Sequence, residues 1–267
     1  MLKTGLYLVM ITLLLVMALM LAGCGGGGGG EGALSSAATL GLTVNKTTVS
    51  SQTDTVTATV TLTSLNSQPV NGVSVTVDMT YNNVVVGSYS GNTNTNGVVA
   101  IVVPVALVPA DRTVYLQARS SGVTSSSSLA VAVKAPVLAT TLDTTYAGTI
   151  AAGIPFEVIF SGANASFKDY YGNAFSSEPN ITFTYDSISG NSSGILYHNG
   201  TALNIGDSFT VTPDSNGEAL LGLSAELTAL APSGTPVSST FNYTLTVLYG
   251  GFTYTKQGSV NYTLTSS

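Results

Sequence analysis

Few side chains in this 267-residue chain could carry out chemistry. The chain has one histidine, His198, and one cysteine, Cys24. A catalytic triad needs a histidine beside a nucleophile, and a zinc site needs several His or Cys ligands. His198 lies in the turn-like segment Tyr-His-Asn-Gly, and the sequence has no second histidine and no evident serine elbow. We therefore expect His198 to be an exposed loop residue rather than part of a catalytic site.

Carboxylates could form two other kinds of site. A glycosidase would use a pair of them, but ordinary solvated loop acids explain the acidic residues of the C-terminal half better: Glu157, Asp169, Glu178, Asp186 and Asp207. The segment from Asp214 to Glu218 has oxygen ligands at alternate positions, as calcium loops do. The full twelve-residue loop pattern is absent, so a plain turn is favoured. The sequence predicts no catalytic residues, no metal and no cofactor.

Cys24 lies at the end of an export signal. Lys3 precedes an apolar run from Leu6 to Leu21, and small residues follow, which is the order of a secretory signal. A retained transmembrane helix is the alternative, but about 16 apolar residues are fewer than a bilayer normally requires. The four residues from Leu21 to Cys24 resemble the lipobox of bacterial lipoproteins. This resemblance implies cleavage between Gly23 and Cys24 and a lipid attached to Cys24.

The lipoprotein resemblance also implies a location. Residues 1–23 would be the signal peptide, and residues 24–36 the lipidated cysteine with a flexible, glycine-rich tether. The mature protein would be anchored in a membrane of the bacterial cell envelope through the lipid on Cys24. Gly25 stands where an Asp usually marks inner-membrane retention, which implies the outer membrane if the organism is Gram-negative. The sequence leaves open whether the protein faces the cell surface.

The composition excludes some partners and favours others. Only 7% of residues are charged, and removal of Lys3 with the signal moves the formal net charge from −6 to −7. An acidic chain is not expected to bind nucleic acid. Sparse surface charge weakens the repulsion between copies, so lateral self-association is a further expectation.

Alternating sequence patterns predict an all-β chain. From Thr55 to Thr63, threonines alternate with Val, Ala and Leu, which is typical of a strand with one buried face. Similar short runs, separated by turn residues, indicate a β-sandwich at residues 37–134, and further strand-like runs follow in a second domain at 136–267. The stretch from Ala219 to Leu230 could form a helix, but Gly222 and the upstream turn favour a strand.

Short motifs resemble the bacterial immunoglobulin-like domains of invasin- and intimin-type surface proteins. In the first domain, residues 69–75 (PVNGVSV) match the end of the family's first motif, and Asn96-Gly97 matches its second. In the second domain, residues 169–173 (DYYGN) match the beginning of the first motif, but Ala174 replaces its proline. The resemblance implies two tandem immunoglobulin-like β-sandwiches and no catalytic residues.

The second domain carries the features that suggest recognition. It contains an insertion at about residues 186–207, which we expect to form an extra hairpin or long loop. Nine of the 13 tyrosines also lie in this domain. Most should pack inside the sandwich, but three lie near predicted turns or in the insertion: Tyr170, Tyr171 and Tyr197. We predict that these three form a contact patch for a protein or glycan at the tip far from the membrane.

Together these patterns predict a non-enzymatic cell-envelope lipoprotein that displays immunoglobulin-like domains for adhesion or for structural support of a surface assembly. Two other classes remain open. A carbohydrate-binding module would need an aromatic platform with a polar rim. An accessory subunit of an envelope or filament complex would have a fixed stoichiometry with its partners.

Overall fold

The computed structural model describes residues 38–266 except 124, 143–144, 152–153, 161, 191–192, 229–233 and 235. The predicted signal peptide, the cleavage site between Gly23 and Cys24, the lipidated Cys24 and the tether lie outside the described residues. Within the described residues there is no helix, and therefore none that is long and apolar enough to cross a membrane. The predicted all-β class is confirmed.

The first domain, residues 38–135, forms strands where the sequence alternates. Val56, Ala58, Val60 and Leu62 are buried while the threonines between them face outward. Eight strands result: β1 (Thr39–Val44), β2 (Thr48–Ser50), β3 (Thr55–Thr63), β4 (Ser74–Tyr81), β5 (Val84–Asn92), β6 (Val98–Pro104), β7 (Arg112–Arg119) and β8 (Leu129–Lys134).

These strands form two sheets with an immunoglobulin-like order. One sheet is β1-β3-β6 and the other is β2-β8-β7-β4-β5. Only β2 and β8 pair in parallel; the other neighbours are antiparallel. In immunoglobulin sandwiches, strands A, B and E form one sheet and strands G, F and C form the other. Here β1, β3 and β6 correspond to A, B and E, and β8, β7 and β4 correspond to G, F and C. The core between the two sheets is mostly valine, with Leu116 and Ile101 among the larger buried side chains.

The second domain, residues 137–266, has twelve strands. They are β9 (Val137–Thr140), β10 (Thr145–Ile150), β11 (Pro155–Ile159), β12 (Asn164–Lys168), β13 (Ile181–Gly190), β14 (Ser193–His198), β15 (Thr201–Leu203), β16 (Ser208–Val211), β17 (Glu218–Leu220), β18 (Leu223–Thr228), β19 (Pro236–Tyr249) and β20 (Phe252–Ser266). Its core is rich in aromatic side chains, including Phe167, Phe183, Phe241, Tyr243 and Tyr262.

Two sheets of the second domain repeat the order of the first. The sheet β17-β12-β9 corresponds to β6-β3-β1, and β10-β20-β19-β13-β16 corresponds to β2-β8-β7-β4-β5. The β10–β20 pair is parallel, as the β2–β8 pair is. The chain is therefore two tandem immunoglobulin-like sandwiches.

The second domain differs by an additional sheet, β11-β18-β14-β15. The predicted insertion, Asp186 to Asp207, supplies the end of β13 together with β14 and β15. The strand that the sequence favours after Ala219 is wrong in one respect, because the chain here divides into β17 and β18 at Gly222, whose φ is +59°. The alternative helix from Ala219 is wrong, because its residues pair in these two sheets.

The segment between the two domains is short. Strand β8 ends at Lys134 and β9 begins at Val137, so only Ala135 and Pro136 separate them, and both are buried. The Ala135 amide donates to the Asp111 carboxylate at 2.9 Å, and Lys134 forms an ion pair with the same carboxylate at 2.7 Å. The connection is therefore held against the first domain instead of acting as a free linker.

Candidate functional sites: the domain junction and an exposed sheet

Four turns in the two domains share one hydrogen-bonding pattern. In each, the first residue accepts from the amide three positions later and donates to the carbonyl four positions later. The turns are Ser64–Gln68 and Asn94–Val98 in the first domain, and Asp169–Asn173 and Asp214–Glu218 in the second. The fourth residue has a positive φ in every case, and it is glycine in three. The motif resemblance therefore reflects a turn that each domain uses twice.

Asp214 uses its carboxylate inside its own turn. One carboxylate oxygen accepts from the amides of Asn216 at 2.8 Å and Glu218 at 3.1 Å. These backbone hydrogen bonds lower the pKa of Asp214. Asn94 makes the same two amide contacts in the first domain without a charge. The geometry is that of a plain turn, and the described residues contain no group of three or more His, Cys, Asp or Glu side chains placed to bind a metal ion.

The Asp169 turn joins the two domains. Asp169 is 3% exposed, and its carboxylate accepts from the amides of Tyr171 at 2.9 Å and Asn173 at 2.8 Å within the turn. The hydroxyl of Thr53 in the first domain donates to the same carboxylate at 3.2 Å. The Tyr170 amide in turn donates to the hydroxyl of the buried Ser50 at 3.3 Å. One buried carboxylate thus fixes the turn and couples it to the first domain.

Tyr170 and Tyr171 belong to this junction and not to a distal tip. The Tyr171 hydroxyl donates to the Thr48 carbonyl oxygen at 3.2 Å, and Lys134 lies 5.6 Å from the Tyr170 ring centroid. Partial burial, and then the neighbouring Asp54 carboxylate, raise the pKa of Tyr171. The rings of Tyr170 and Tyr171 are in edge contact, and the two residues remain 43% and 51% exposed, respectively. The contacts reach the first domain because the turn follows the end of β12 that faces it.

Tyr254 adds a buried hydrogen bond to the junction. Its hydroxyl donates to the Val108 carbonyl oxygen of the first domain at 2.9 Å, and both residues are buried. Burial raises the pKa of Tyr254 to about 12. The sequence predicted no role for Tyr254. In the sequence, a strand tyrosine whose hydroxyl contacts another domain cannot be distinguished from one that packs in the core of its own domain.

His198 has a packing role. Its ring stacks on Phe209 with centroids 3.6 Å apart, and its Nδ1 lies 2.9 Å from the Leu221 carbonyl oxygen. His198 is therefore partly buried where the sequence predicted an exposed loop residue, because the hairpin of β14 and β15 folds back onto β16 and the β17–β18 bend. Two of the acidic residues also accept hydrogen bonds: Asp186 accepts from the Thr244 hydroxyl, and Asp207 accepts from the Asn204 amide.

Tyr197 lies on a different surface from the other two tyrosines. It is in β14, in register with Ser224 of β18, which in turn is in register with Ile159 of β11. Residues Leu223, Ala225 and Leu227 of β18 are buried, so the alternate positions face solvent. The outer face of this sheet therefore carries Tyr197. The structure does not bring Tyr170, Tyr171 and Tyr197 together in one patch.

The same outer face holds two facing glutamates. Glu157 is in register with Glu226, which is in register with Ile195. Tyr197 lies beside them, and its partial burial, followed by the Glu226 carboxylate, raises its pKa. Like charges directly opposite each other in a sheet are destabilising. Ile159 and Ile195 on this face are 67% and 44% exposed.

Comparisons with known proteins give matches only among solved structures. No protein-family model and no curated protein matches the chain. The D0-D1 domain of intimin is similar at 18% identity over 82% of this chain and 97% of that chain, with a TM-score of 0.30. The S-layer protein SbsC, domains 4 and 5, is similar at 18% identity over 85% and 98%, with a TM-score of 0.27.

Invasin, described as a bacterial integrin-binding protein, is similar at 18% identity with a TM-score of 0.35. The match covers 84% of this chain but only 39% of the invasin chain. Intimin and invasin, whose domains the sequence motifs resemble, are thus both among the similar structures. TM-scores of this size do not define a shared overall fold, and the sandwich architecture rests on the strand pairing described above.

Proposed function

We propose that this chain is a non-enzymatic, lipid-anchored envelope protein that holds its second domain away from a bacterial membrane as part of a stiff two-domain rod. The junction is the observation that carries this proposal. A two-residue connection, the buried Asp169 carboxylate and the buried Tyr254 hydroxyl leave little freedom between the domains. A buried polar group that loses its partner is costly, so bending at the junction is opposed.

The polarity of the rod follows from where the chain enters each domain. Thr39 at the start of β1 pairs with Thr63, beside the Ser64 turn at the end of the first domain opposite the junction. A tether from Cys24 would enter there. In the second domain, Gly190 is in register with Ser239, near the end of β19 opposite the Tyr249–Phe252 turn. The end of β13 at Gly190 would therefore lie farthest from the membrane.

Adhesion and support of a surface assembly are the functions that such a rod serves best. A stiff spacer places a recognition surface at a set distance, while the glycine-rich tether predicted from the sequence would allow the rod to reorient. Low surface charge favours close approach to neighbours, which supports lateral association as a part of the same function.

Protease shaving of intact cells tests the location. Full-length protein should release peptides from residues 137–266 while cytosolic and periplasmic marker proteins stay intact. The Cys24→Ser variant is the matched control, and it should leave the membrane fraction. Complete protection until the outer membrane is opened would refute surface display, and retention of Cys24→Ser in the membrane would refute lipid anchoring.

Distances between spin labels test the stiffness. Labels at Val102 and Ile205, which are 58% and 59% exposed, report on the two domains in a Cys24→Ser background. We expect one narrow distance distribution that broadens when Asp169→Ala and Tyr254→Phe are combined. A broad distribution in the protein with its junction intact would refute the rod.

A further inference from the structure

The outer face of the additional sheet combines exposed apolar side chains with two facing glutamates. Three of the large apolar side chains that are exposed in the described part of the chain lie on this outer face or at the border of its cleft: Ile159, Ile195 and Leu220. Soluble proteins rarely leave such residues side by side unless the surface is used. Among its described residues the first domain has no corresponding sheet, and β14 and β15 come from the insertion of the second domain.

A cleft opens on this face where β11 gives way to β12 and β17 to β18. It has a volume of about 400 Å³ and is lined by Glu157, Ile159, Phe160, Leu220 and Leu223, with Ser224 at its side. Phe160 and Leu223 form a buried apolar floor, at 4% and 2% exposure. Glu157 supplies the carboxylate in this lining, and Glu226 is directly opposite it on β18.

Five of the six cations among the described residues have partners elsewhere. Lys46, Lys134 and Lys168 form ion pairs with Asp54, Asp111 and Glu218, respectively. Arg119 pairs with Asp78, and Arg112 lies over the Tyr81 ring. Lys256, the remaining cation of the described residues, is on β20 in the opposite sheet. The two facing glutamates are therefore complementary to a positive charge from outside the chain.

We infer that this face is a docking surface for a protein partner that inserts a lysine or arginine side chain into the cleft. The aliphatic stem of such a side chain lies along Ile159 and Leu220, as long cationic side chains do on apolar surfaces. Its charged head reaches Glu157 and Glu226, and Tyr197 and Ile195 contact the neighbouring part of the partner. The inference rests on the proposed display of the second domain and names the chemistry that this domain recognises.

A defined peptide series tests the inference. The probes are synthetic nine-residue peptides of alternating Ser and Leu whose central residue is Lys, Arg, norleucine or Glu. The full-length chain in detergent should bind the Lys and Arg peptides about fivefold more tightly than the norleucine peptide, which keeps the stem and lacks the charge. The E157K/E226K double variant should reverse this order and favour the Glu peptide.

The matched control is Thr210→Lys, on an exposed position of β16 in the opposite sheet. It should keep the order found for the unchanged chain. Equal binding of all four peptides, or an order that E157K/E226K does not change, would overturn the inference.

Evidence for either of two other occupants of this face would also overturn the inference. One is calcium binding in the micromolar range that E157K/E226K abolishes, and the other is a dimer of the full-length chain that the same variant dissolves. None of these results bears on surface display or lipid anchoring, which protease shaving and Cys24→Ser test separately.

Discussion

Removal of a single hydroxyl at the domain junction should lower the stability of both domains. In Tyr254→Phe the aromatic ring and its packing stay, and only the donor to the Val108 carbonyl oxygen is lost. Val108 is fully buried and Tyr254 is 6% exposed, so water does not readily replace the lost donor. The variant therefore isolates the hydrogen bond between the domains.

The expected loss of stability in Tyr254→Phe follows from two contributions. A hydrogen bond of this kind contributes about 1 kcal/mol, and a buried carbonyl left without a donor costs about 1–3 kcal/mol. Because some relaxation at the junction is expected, we predict that the free energy of unfolding falls by about 2 kcal/mol. The loss should appear in both domains, since the bond joins them.

Tyr262→Phe is a matched control on the same strand. Tyr262 is 1% exposed, and its hydroxyl has no hydrogen-bond partner among the described residues. Loss of this hydroxyl removes a buried polar group without breaking a bond, so stability should stay the same or rise by up to about 1 kcal/mol. Burial raises the pKa of Tyr262 as it does that of Tyr254, so the two positions differ mainly in the hydrogen bond.

Guanidinium unfolding of a chain that begins at Ala38, followed by circular dichroism and tyrosine fluorescence, measures both variants. The chain has no tryptophan, so tyrosine is the intrinsic probe. Calorimetry of the same samples shows whether the domains unfold together. A neutral Tyr254→Phe, or equal losses in the two variants, would refute the reasoning that the interdomain hydrogen bond stabilises the molecule.

Three further predictions use the same assay. Leu227→Ala, at a fully buried position, should cost about 2–5 kcal/mol, whereas Leu248→Ala, at a position 70% exposed, should change stability by less than about 0.5 kcal/mol. Gly97→Ala should lower the free energy of unfolding more than Gly72→Ala. Both glycines have a positive φ, but only at Gly97 would an added Cβ lie 2.5 Å from a backbone atom, the Leu62 carbonyl oxygen. Equal losses would mean that the backbone conformation alone sets the loss of stability. The free energy of unfolding should fall as pH rises from 10 to about 12, because the Tyr254 pKa is raised and the folded state favours the protonated form, and the fall should be shallower in Tyr254→Phe.

Strands of the first domain such as β3 could be predicted because they bury one face. The alternation from Thr55 to Thr63 has the same register in the sheet as in the sequence, with Val56 and Val60 inward. The division of the strand after Glu218 could not be predicted from this pattern. Leu221 and Leu223 continue the apolar alternation across Gly222, and only the tertiary bend there, bridged by the Leu221 amide and the Ala163 carbonyl, ends one sheet and begins another.

The candidate sites could likewise be predicted only in their local parts. Residues 169–173 could be recognised as a turn, because Asp, Gly and Asn at these positions favour one. What the turn contacts depends on the first domain, more than 110 residues earlier in the chain, as in the Thr53–Asp169 hydrogen bond. Glu157 and Glu226 likewise meet through strand pairing between distant segments. Local patterns specify turns and strands, whereas the junction and the exposed sheet arise from long-range packing.

The repeated turn makes a final prediction at its one irregular position. Ser67 has φ +58° where the three equivalent turns have Gly97, Gly172 and Gly217. A left-handed conformation costs a residue with a Cβ about 1–2 kcal/mol, and glycine loses about 0.5–1 kcal/mol through its freer unfolded state. Ser67→Gly should therefore stabilise the first domain by about 0.5–1 kcal/mol in guanidinium unfolding, and Gly172→Ser should destabilise the second. A loss of stability in Ser67→Gly would mean that the four turns are not energetically equivalent, and that the serine side chain supports this one.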